Sequence, residues 1–470
     1  MGTIWPELES ATGPKYRVLA DAIRQAAGGG ELGEGTRLPP VRELAFQLGV
    51  TPGTVARAYT VLTDEGVLTA GVGRGTFVAP RARRVEVSAA APAEDVWSQS
   101  DTPPDVYAVS LFSPRIPDVG QVGAIRAALA QVGATDPMRL LNYPTRDSYR
   151  AVREAVVGWL SDVPLGPVDQ EDIVLTNGGQ NGICVALQAI LRGPSPTILV
   201  EDLSYAGFRR AAELLRADVV GVAMDAQGVI PEALEEAARR TGAQVFCTTP
   251  EVQNPTAAFC PLERRQALAA VAEKYDLQII EDDCYRIGNS KAPSYRALAP
   301  ERGWHVSTLS KTLTPALRVG YALAPRDRAV DLRRAAEYGY FGISEPLAEV
   351  TRILLSDPKT RDLCARARVR IGEYVRLAVN ALGRFDLSWD PEVPFLWLRL
   401  PPGWRAAGFC RAAEAAGVQI RSADEFALRT GRAPHAVRIA VNCQVSPASF
   451  ENAMLRLRAL LDNPPEQISV

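Results

Sequence analysis

The sequence predicts two domains: a small three-helix module closed by a β-hairpin, then a large α/β domain with a largely parallel sheet. Three observations carry this. Residues 15–79 show helical spacing, a tight turn and two short β-like runs. Residues 81–106 are rich in Ala, Pro, Ser and charge, with little periodicity. From 107 onward, helical stretches alternate with short apolar runs, the pattern of an α/β fold. A chain of 470 residues is also too long for one ordinary core.

In the first module (residues 1–80), KYRVLADAIRQAA over 15–27 has apolar positions at helical spacing, and Gly28-Gly29-Gly30 ends the run. A second helix fits Val41–Leu48, after Pro39-Pro40 and before Gly49. The turn VTPG leads to a third over Thr54–Glu65, closed by Gly66. VLTA and GTFVA flank Gly71–Gly75 and read as a hairpin wing. Helix, short turn, helix and wing make a winged helix-turn-helix. The segment resembles the DNA-binding domain of GntR-type regulators, in its Leu-Pro-x-x-Arg-Glu-Leu-Ala opening and its Gly-x-Gly-Thr-Phe-Val wing. The first 80 residues hold seven Lys/Arg against eight Asp/Glu, so the expectation of DNA rests on placement. Arg37, Arg42, Arg57 and Arg74 fall at the helix entries, the last helix and the wing tip, where a duplex would lie. Such residues position a protein on phosphates, while Thr51, Thr54 and Arg57 can reach base edges.

Residues 81–106 read as a linker, able to span roughly 80 Å if fully stretched. The large domain, residues 107–470, carries the runs DIVLTN, TILVED, VVGVAM, QVFCTTP, LQIIEDD, WHVSTLS and VGYALAP. Helical stretches after about 326, then FLWLRL and AVRIAVN, suggest a smaller C-terminal α/β subdomain.

Chemistry concentrates where the runs end. In STLSKTLTPALRVGYAL, Lys311 sits beside Thr308 and Ser310, and Arg318 follows seven residues later. A lysine amine condenses with an aldehyde; two hydroxyls and a guanidinium suit a phosphate monoester. Aldehyde and phosphate together describe pyridoxal 5'-phosphate (PLP). Gly178-Gly179-Gln180 opens a helical run, where the backbone N–H groups of Gly179 and Gln180 can receive a phosphate. Asp282, in IIEDDCY, offers a carboxylate that can keep a pyridine nitrogen protonated.

Residues 107–460 resemble the fold-type I PLP-dependent aminotransferases, on the Ser-x-Ser-Lys…Pro-Gly-Leu-Arg-x-Gly segment and on matches to the Asn-Pro-Thr-Gly and Asp-x-x-Tyr motifs. The resemblance implies that Tyr205 covers the pyridine face and that Asn254 and Tyr285 donate to the ring oxygen. It selects Asp282 over Asp283, makes Arg438 the clamp for a substrate carboxylate, and sends Tyr143 to a neighbouring subunit's cofactor phosphate. The chain departs from the pattern at Ala257 and Ala316, where the family has Gly, at Thr308, where it has Ser, and at Asp147-Ser148 after Tyr143.

Both domains in this order resemble the MocR subfamily of GntR-type bacterial regulators. The expected function is a transcriptional regulator that binds operator DNA as a homodimer. It senses PLP, or the aldimine that PLP forms with a small amine or amino-acid effector. The alternative is an active aminotransferase with an autoregulatory DNA-binding segment. No long uncharged apolar run suggests a membrane span, and the N-terminus lacks a signal-peptide pattern. Seven scattered cysteines and two histidines argue against a metal site or a disulfide framework, and for a cytoplasmic location.

Overall fold

The computed structural model describes residues 5–6, 14–33, 35–65, 67–71, 75–79, 108–134, 141–428 and 431–465. They form two compact units, divided between residues 103 and 104. The expected linker, 81–106, lies outside the described residues.

In the first unit, α1 (Lys15–Gly29), α2 (Val41–Gln47) and α3 (Pro52–Asp64) precede β1 (Leu68–Gly71) and β2 (Gly75–Val78). α1 continues through Gly29 until Gly30, at φ 83°, ends it in the left-handed conformation. α3 starts at Pro52, earlier than Thr54, because proline's fixed φ suits the first helical position and its missing N–H costs nothing there. Leu19, Ile23, Leu44, Val55 and Leu62 meet Leu68 and Val78 of the hairpin in one core. The hairpin is antiparallel, with Leu68 opposite Val78.

The second unit opens with β3 (Val109–Ser110) and is built on a seven-stranded sheet. In chain order come β4 (Val174–Thr176), β5 (Thr197–Glu201), β6 (Asp218–Val222), a small hairpin of β7 (Met224–Asp225) and β8 (Gly228–Val229), and β9 (Val245–Thr248). Then follow β10 (Gln278–Asp282), β11 (Gly303–Thr308) and β12 (Gly320–Leu323). The sheet order is β4-β12-β11-β10-β9-β5-β6, so each of the seven apolar runs supplies one strand. Neighbours are parallel except around β12, which runs antiparallel to both β11 and β4. Helix Gly179–Ile190 packs on one face with Val200, Ile280 and Val306. Helices Pro231–Thr241 and Leu262–Lys274 cover Leu199, Phe246 and Ile279 on the other. Burial on both faces is why these strands, apart from the half-buried edge strand β6, read as continuous apolar runs.

A second sheet follows from β13 (Leu387–Ser388), β14 (Phe395–Arg399), β15 (Val418–Gln419), β16 (Arg421–Ser422) and β17 (Ala436–Ala440). Its antiparallel order is β13-β14-β17-β16, while β15 pairs in parallel with β3. The small subdomain expected from about 326 begins later than that. Leu332, Ala336, Val350 and Leu354, on helices Ala329–Tyr340 and Glu345–Ser356, lie in the cores of the seven-stranded layer. Helix Pro358–Leu382 puts Tyr374, Val375 and Ala378 under the second sheet, and Leu111, just past β3, joins them. Helical spacing marks a buried stripe but not the layer that covers it.

Candidate functional site

In the small unit, α3 buries Val55, Ala58, Tyr59 and Leu62 and leaves Gly53, Arg57 and Thr60 outward. The hydroxyls of Thr51 and Thr54 hydrogen-bond at 3.0 Å at its start. The Arg57 guanidinium lies 4.3 Å from the centroid of the Tyr16 ring, a cation–π stack that fixes its direction. Arg37 forms a bridge with Phe77, and a Cβ on Gly75 would sit 2.9 Å from its Nε, so it lies against the hairpin. Arg42 is exposed on the first turn of α2. Arg74 lies outside the described residues. Tyr16 was not singled out from the sequence, because its partner is on another helix.

In the large unit, one edge of the sheet collects the chemistry. The parallel strands end there, and β12, running the other way, begins there: Gly320 pairs with Thr308 and with Thr176. Asp282 closes β10, Thr308 closes β11, and Lys311 and Arg318 lie in the connection from β11 to β12. This is the edge at which α/β sheets place their ligands.

A cradle forms around the start of helix Gly179–Ile190. Gly178 has φ 82°, and a Cβ there would stand 2.6 Å from Arg318 Nη2. A Cβ on Gly179 would overlap the Cys284 sulfur. Ser310 Oγ lies 3.0 Å from Thr308 Oγ1 and accepts a long bond of 3.4 Å from Arg318 Nη1. Arg318 itself is held at φ 50°, a left-handed strain that local packing must sustain. The Gln180 side chain donates to the Gly207 carbonyl at 2.9 Å and ties the helix start to the turn after Tyr205.

Beyond the cradle, Lys311 Nζ is 5.3 Å from the centroid of the Tyr285 ring, which meets Phe395 edge-on. Asp282, 5 % exposed, accepts the Cys284 backbone N–H at 3.0 Å, and burial pushes its carboxyl up to about 6. Its neighbour Asp283 is bound instead by Arg286 Nε at 2.7 Å. Tyr205 meets Phe208 edge-on at 6.2 Å, and its hydroxyl is pushed upward by burial first and by Tyr285 and Asp282 next. Buried Asn254 accepts from Arg438 Nη1 at 2.6 Å through Oδ1, while its Nδ2 is buried with no hydrogen-bond partner. Ala257, where the resemblance expects Gly, takes φ 61° and keeps the turn by bonding to the Gln253 carbonyl at 2.8 Å. Tyr143 is 87 % exposed and, within one chain, stands apart from the cluster.

The residues fit PLP on two structural grounds. A buried donor, Asn254 Nδ2, lacks an acceptor, and the bare Gly178 lets the Arg318 guanidinium close against the helix start, where cation and helix N-terminus together suit a phosphate.

Two family descriptions match the chain. "Bacterial regulatory proteins, gntR family" covers residues 15–78, and "Aminotransferase class I and II" covers residues 116–457. The chain belongs to the GntR-type regulators with an aminotransferase domain, the MocR arrangement. The cofactor of this domain is pyridoxal 5'-phosphate. The uncharacterized HTH-type transcriptional regulator YdeF of Bacillus subtilis is 28 % identical to this regulator, over 97 % of this chain and 96 % of that one. The HTH-type pyridoxine biosynthesis transcriptional regulator PdxR of Corynebacterium glutamicum is 31 % identical, over 72 % of this chain and 71 % of its own. Among solved structures, an archaeal alanine:glyoxylate aminotransferase aligns with a TM-score of 0.68 at 23 % identity, over 76 % of this chain and 91 % of that one. LysN, the α-aminoadipate aminotransferase of Thermus thermophilus, gives 0.67 at 23 % over 76 % and 92 %. These two structures speak for the fold of the regulator's large unit. Among its described residues, no helix is long and apolar enough to cross a membrane.

Proposed function

We propose that this regulator binds operator DNA through α2, α3 and the hairpin, and that its large unit senses PLP or PLP joined to a small amine or amino acid. The observation that carries the reading is the joining, in one chain, of a DNA-reading module and a cofactor cradle with its lysine. Bound PLP supplies an aldehyde that takes up amines and a ring that withdraws electrons. Lys311 offers the amine. Arg318, Thr308, Ser310 and the amides of Gly179 and Gln180 hold the phosphate. Asp282 keeps a proton on the ring nitrogen, Asn254 Nδ2 and the Tyr285 hydroxyl donate to the ring oxygen, and Tyr205 covers the ring. Arg438 receives an effector carboxylate, and Tyr143 reaches the phosphate site of a second copy of the chain. A homodimer then presents two copies of α3 to two half-sites. A working aminotransferase is the weaker reading, since relatives matching nearly the full length are named as regulators.

The direct test measures affinity for a selected operator without PLP, with PLP, and with PLP plus amino acids or amines. Coupling of about 1–3 kcal/mol would move that affinity roughly 5- to 150-fold. Arg438→Ala should erase the response to a carboxylated effector and leave PLP binding and basal DNA binding nearly unchanged. A variant that responds fully at the same dose would remove Arg438 from the effector site. Arg42→Ala and Arg57→Ala should weaken operator binding and lower the salt slope by about one unit for each phosphate no longer neutralised, with no change in the PLP spectrum. Unaltered affinity and slope in both would count against DNA docking on this face.

A further inference from the structure

Beside Arg438 the second sheet supplies another guanidinium. Arg421 on β16 pairs directly with Arg438 on β17, and residues directly opposite in an antiparallel pair project from the same face. Both side chains reach one atom. The carbonyl oxygen of Phe112 accepts from Arg438 Nη2 at 2.7 Å and from Arg421 Nε at 2.8 Å. Phe112 follows β3, whose pairing with β15 holds that carbonyl beside both strands.

Charge makes the arrangement unusual. Like charges placed opposite each other in a sheet repel, and burial raises the cost of each. Glu425 meets Arg421 Nη1 at 2.6 Å and offsets one of the two cations. Arg438 is 3 % exposed and has neutral partners: Asn254 Oδ1, the Phe112 carbonyl, and the rings of Phe395 and Phe426 at 5.3 and 4.8 Å. Its Nε is buried with no hydrogen-bond partner. None of these partners of Arg438 carries a negative charge, so a carboxylate arriving beside it would meet a buried guanidinium with a free Nε donor.

We propose that Arg421 is a positioning residue of the effector site, which together with Arg438 forms a two-guanidinium seat for one carboxylate. Arg421 fixes the direction of Arg438 through the shared Phe112 oxygen and adds its charge beside the clamp. The ligand class is an amine bearing a single carboxylate at this end, an α-amino acid rather than the amine left by its decarboxylation. The inference rests on the reading that Arg438 receives an effector carboxylate.

The test uses the full chain loaded with PLP and matched ligands: alanine with ethylamine, phenylalanine with phenethylamine, lysine with cadaverine. Affinity is read from the cofactor's absorbance, and operator affinity is followed in parallel. The wild-type protein should prefer the acid of at least one pair. Arg421→Gln should cut that preference at least about tenfold, the effect of removing a charge-assisted hydrogen bond, and leave amine affinity unchanged. Arg421→Lys, which keeps the charge without the fork, should recover part of it, and thermal melts establish that each variant is folded. An equal loss for acid and amine would mean that Arg421 only holds the chain near Phe112, and the assignment would fall. An unchanged preference in folded Arg421→Gln, or no preference in the wild type, would overturn it as well. If the acid preference follows Arg421 while operator affinity never moves, Arg421 stands and the regulatory reading fails.

Discussion

Replacing Lys311 by Ala should abolish every trace of covalently fixed cofactor. After loading with PLP and reduction with borohydride, the wild-type chain should yield one modified peptide, the one containing Lys311. The other lysines are few, and each sits elsewhere. Lys274 pairs with Glu235 and Lys291 with Asp390, while Lys15 is on α1 and Lys359 starts helix Pro358–Leu382. Lys311 alone lies beside Tyr285, in the connection that also carries Arg318. The variant should still hold PLP without a covalent bond, because the hydroxyls of Thr308 and Ser310, the Arg318 guanidinium and the helix start grip the phosphate on their own. Label on another lysine, or full labelling of the variant, would refute the site.

Asp282→Asn is expected to act in opposite directions on the empty and the loaded protein. Burial raises the Asp282 carboxyl from 3.8 to about 6. Between those values the folded chain holds a proton that the unfolded chain releases. Stability therefore falls as pH rises from about 4 to about 6 and stays at the lower level above that window. A displacement of about two pH units corresponds to a cost on the order of 3 kcal/mol at neutral pH. Asparagine keeps the shape without the charge, so the empty variant should lose this slope and gain stability at pH 7 relative to wild type. Glu281, pushed up to about 7 by burial, and the buried Glu201 and Asp283 give slopes of the same sign in both proteins. The informative quantity is thus the difference between wild type and variant. With PLP present the sign reverses, because the carboxylate gains a cationic ring nitrogen and asparagine does not. PLP affinity should then fall by roughly 100-fold. Urea unfolding at pH 4.5 and 7.5, with and without PLP, reads both effects. Parallel pH slopes in the two empty proteins would rule out the account of Asp282.

Much of the fold was legible because burial on both faces forces a strand to be continuously apolar. Each of the seven runs became a strand of the main sheet, and all but the half-buried edge strand β6 meet that condition. The candidate cofactor residues stand out in the sequence as short local patterns, and the fold gathers them at one edge of the main sheet: Thr308, Ser310, Lys311 and Arg318 at the end of β11 and in the connection after it, Asp282 and Tyr285 at one strand end. The family resemblance favours Asp282 over Asp283, and the bond from Arg286 gives Asp283 a separate partner. What could not be read depends on pairing across distance. Arg421 matters because of its register against Arg438, and Phe112 acts through a backbone carbonyl that no side-chain pattern reveals. Tyr16 stacks on Arg57 only after α1 and α3 have packed. The subdomain boundary was placed too early because helices 329–356 carry the same apolar stripe whichever sheet they cover.

The pairing of β3 with β15 decides where the large unit can be cut. Similarity to aminotransferases begins at residue 116, which invites cleavage just before that point. A protease acting there would remove Val109, Ser110 and Leu111, strip β15 of its neighbour, and take a side chain out of the second sheet's core. It would also carry away the Phe112 oxygen, leaving two guanidiniums face to face with nothing between them. A fragment trimmed ahead of Ala108 keeps that seam closed. The two fragments differ by only a few residues, yet they should part sharply in how well they tell an amino acid from a plain amine.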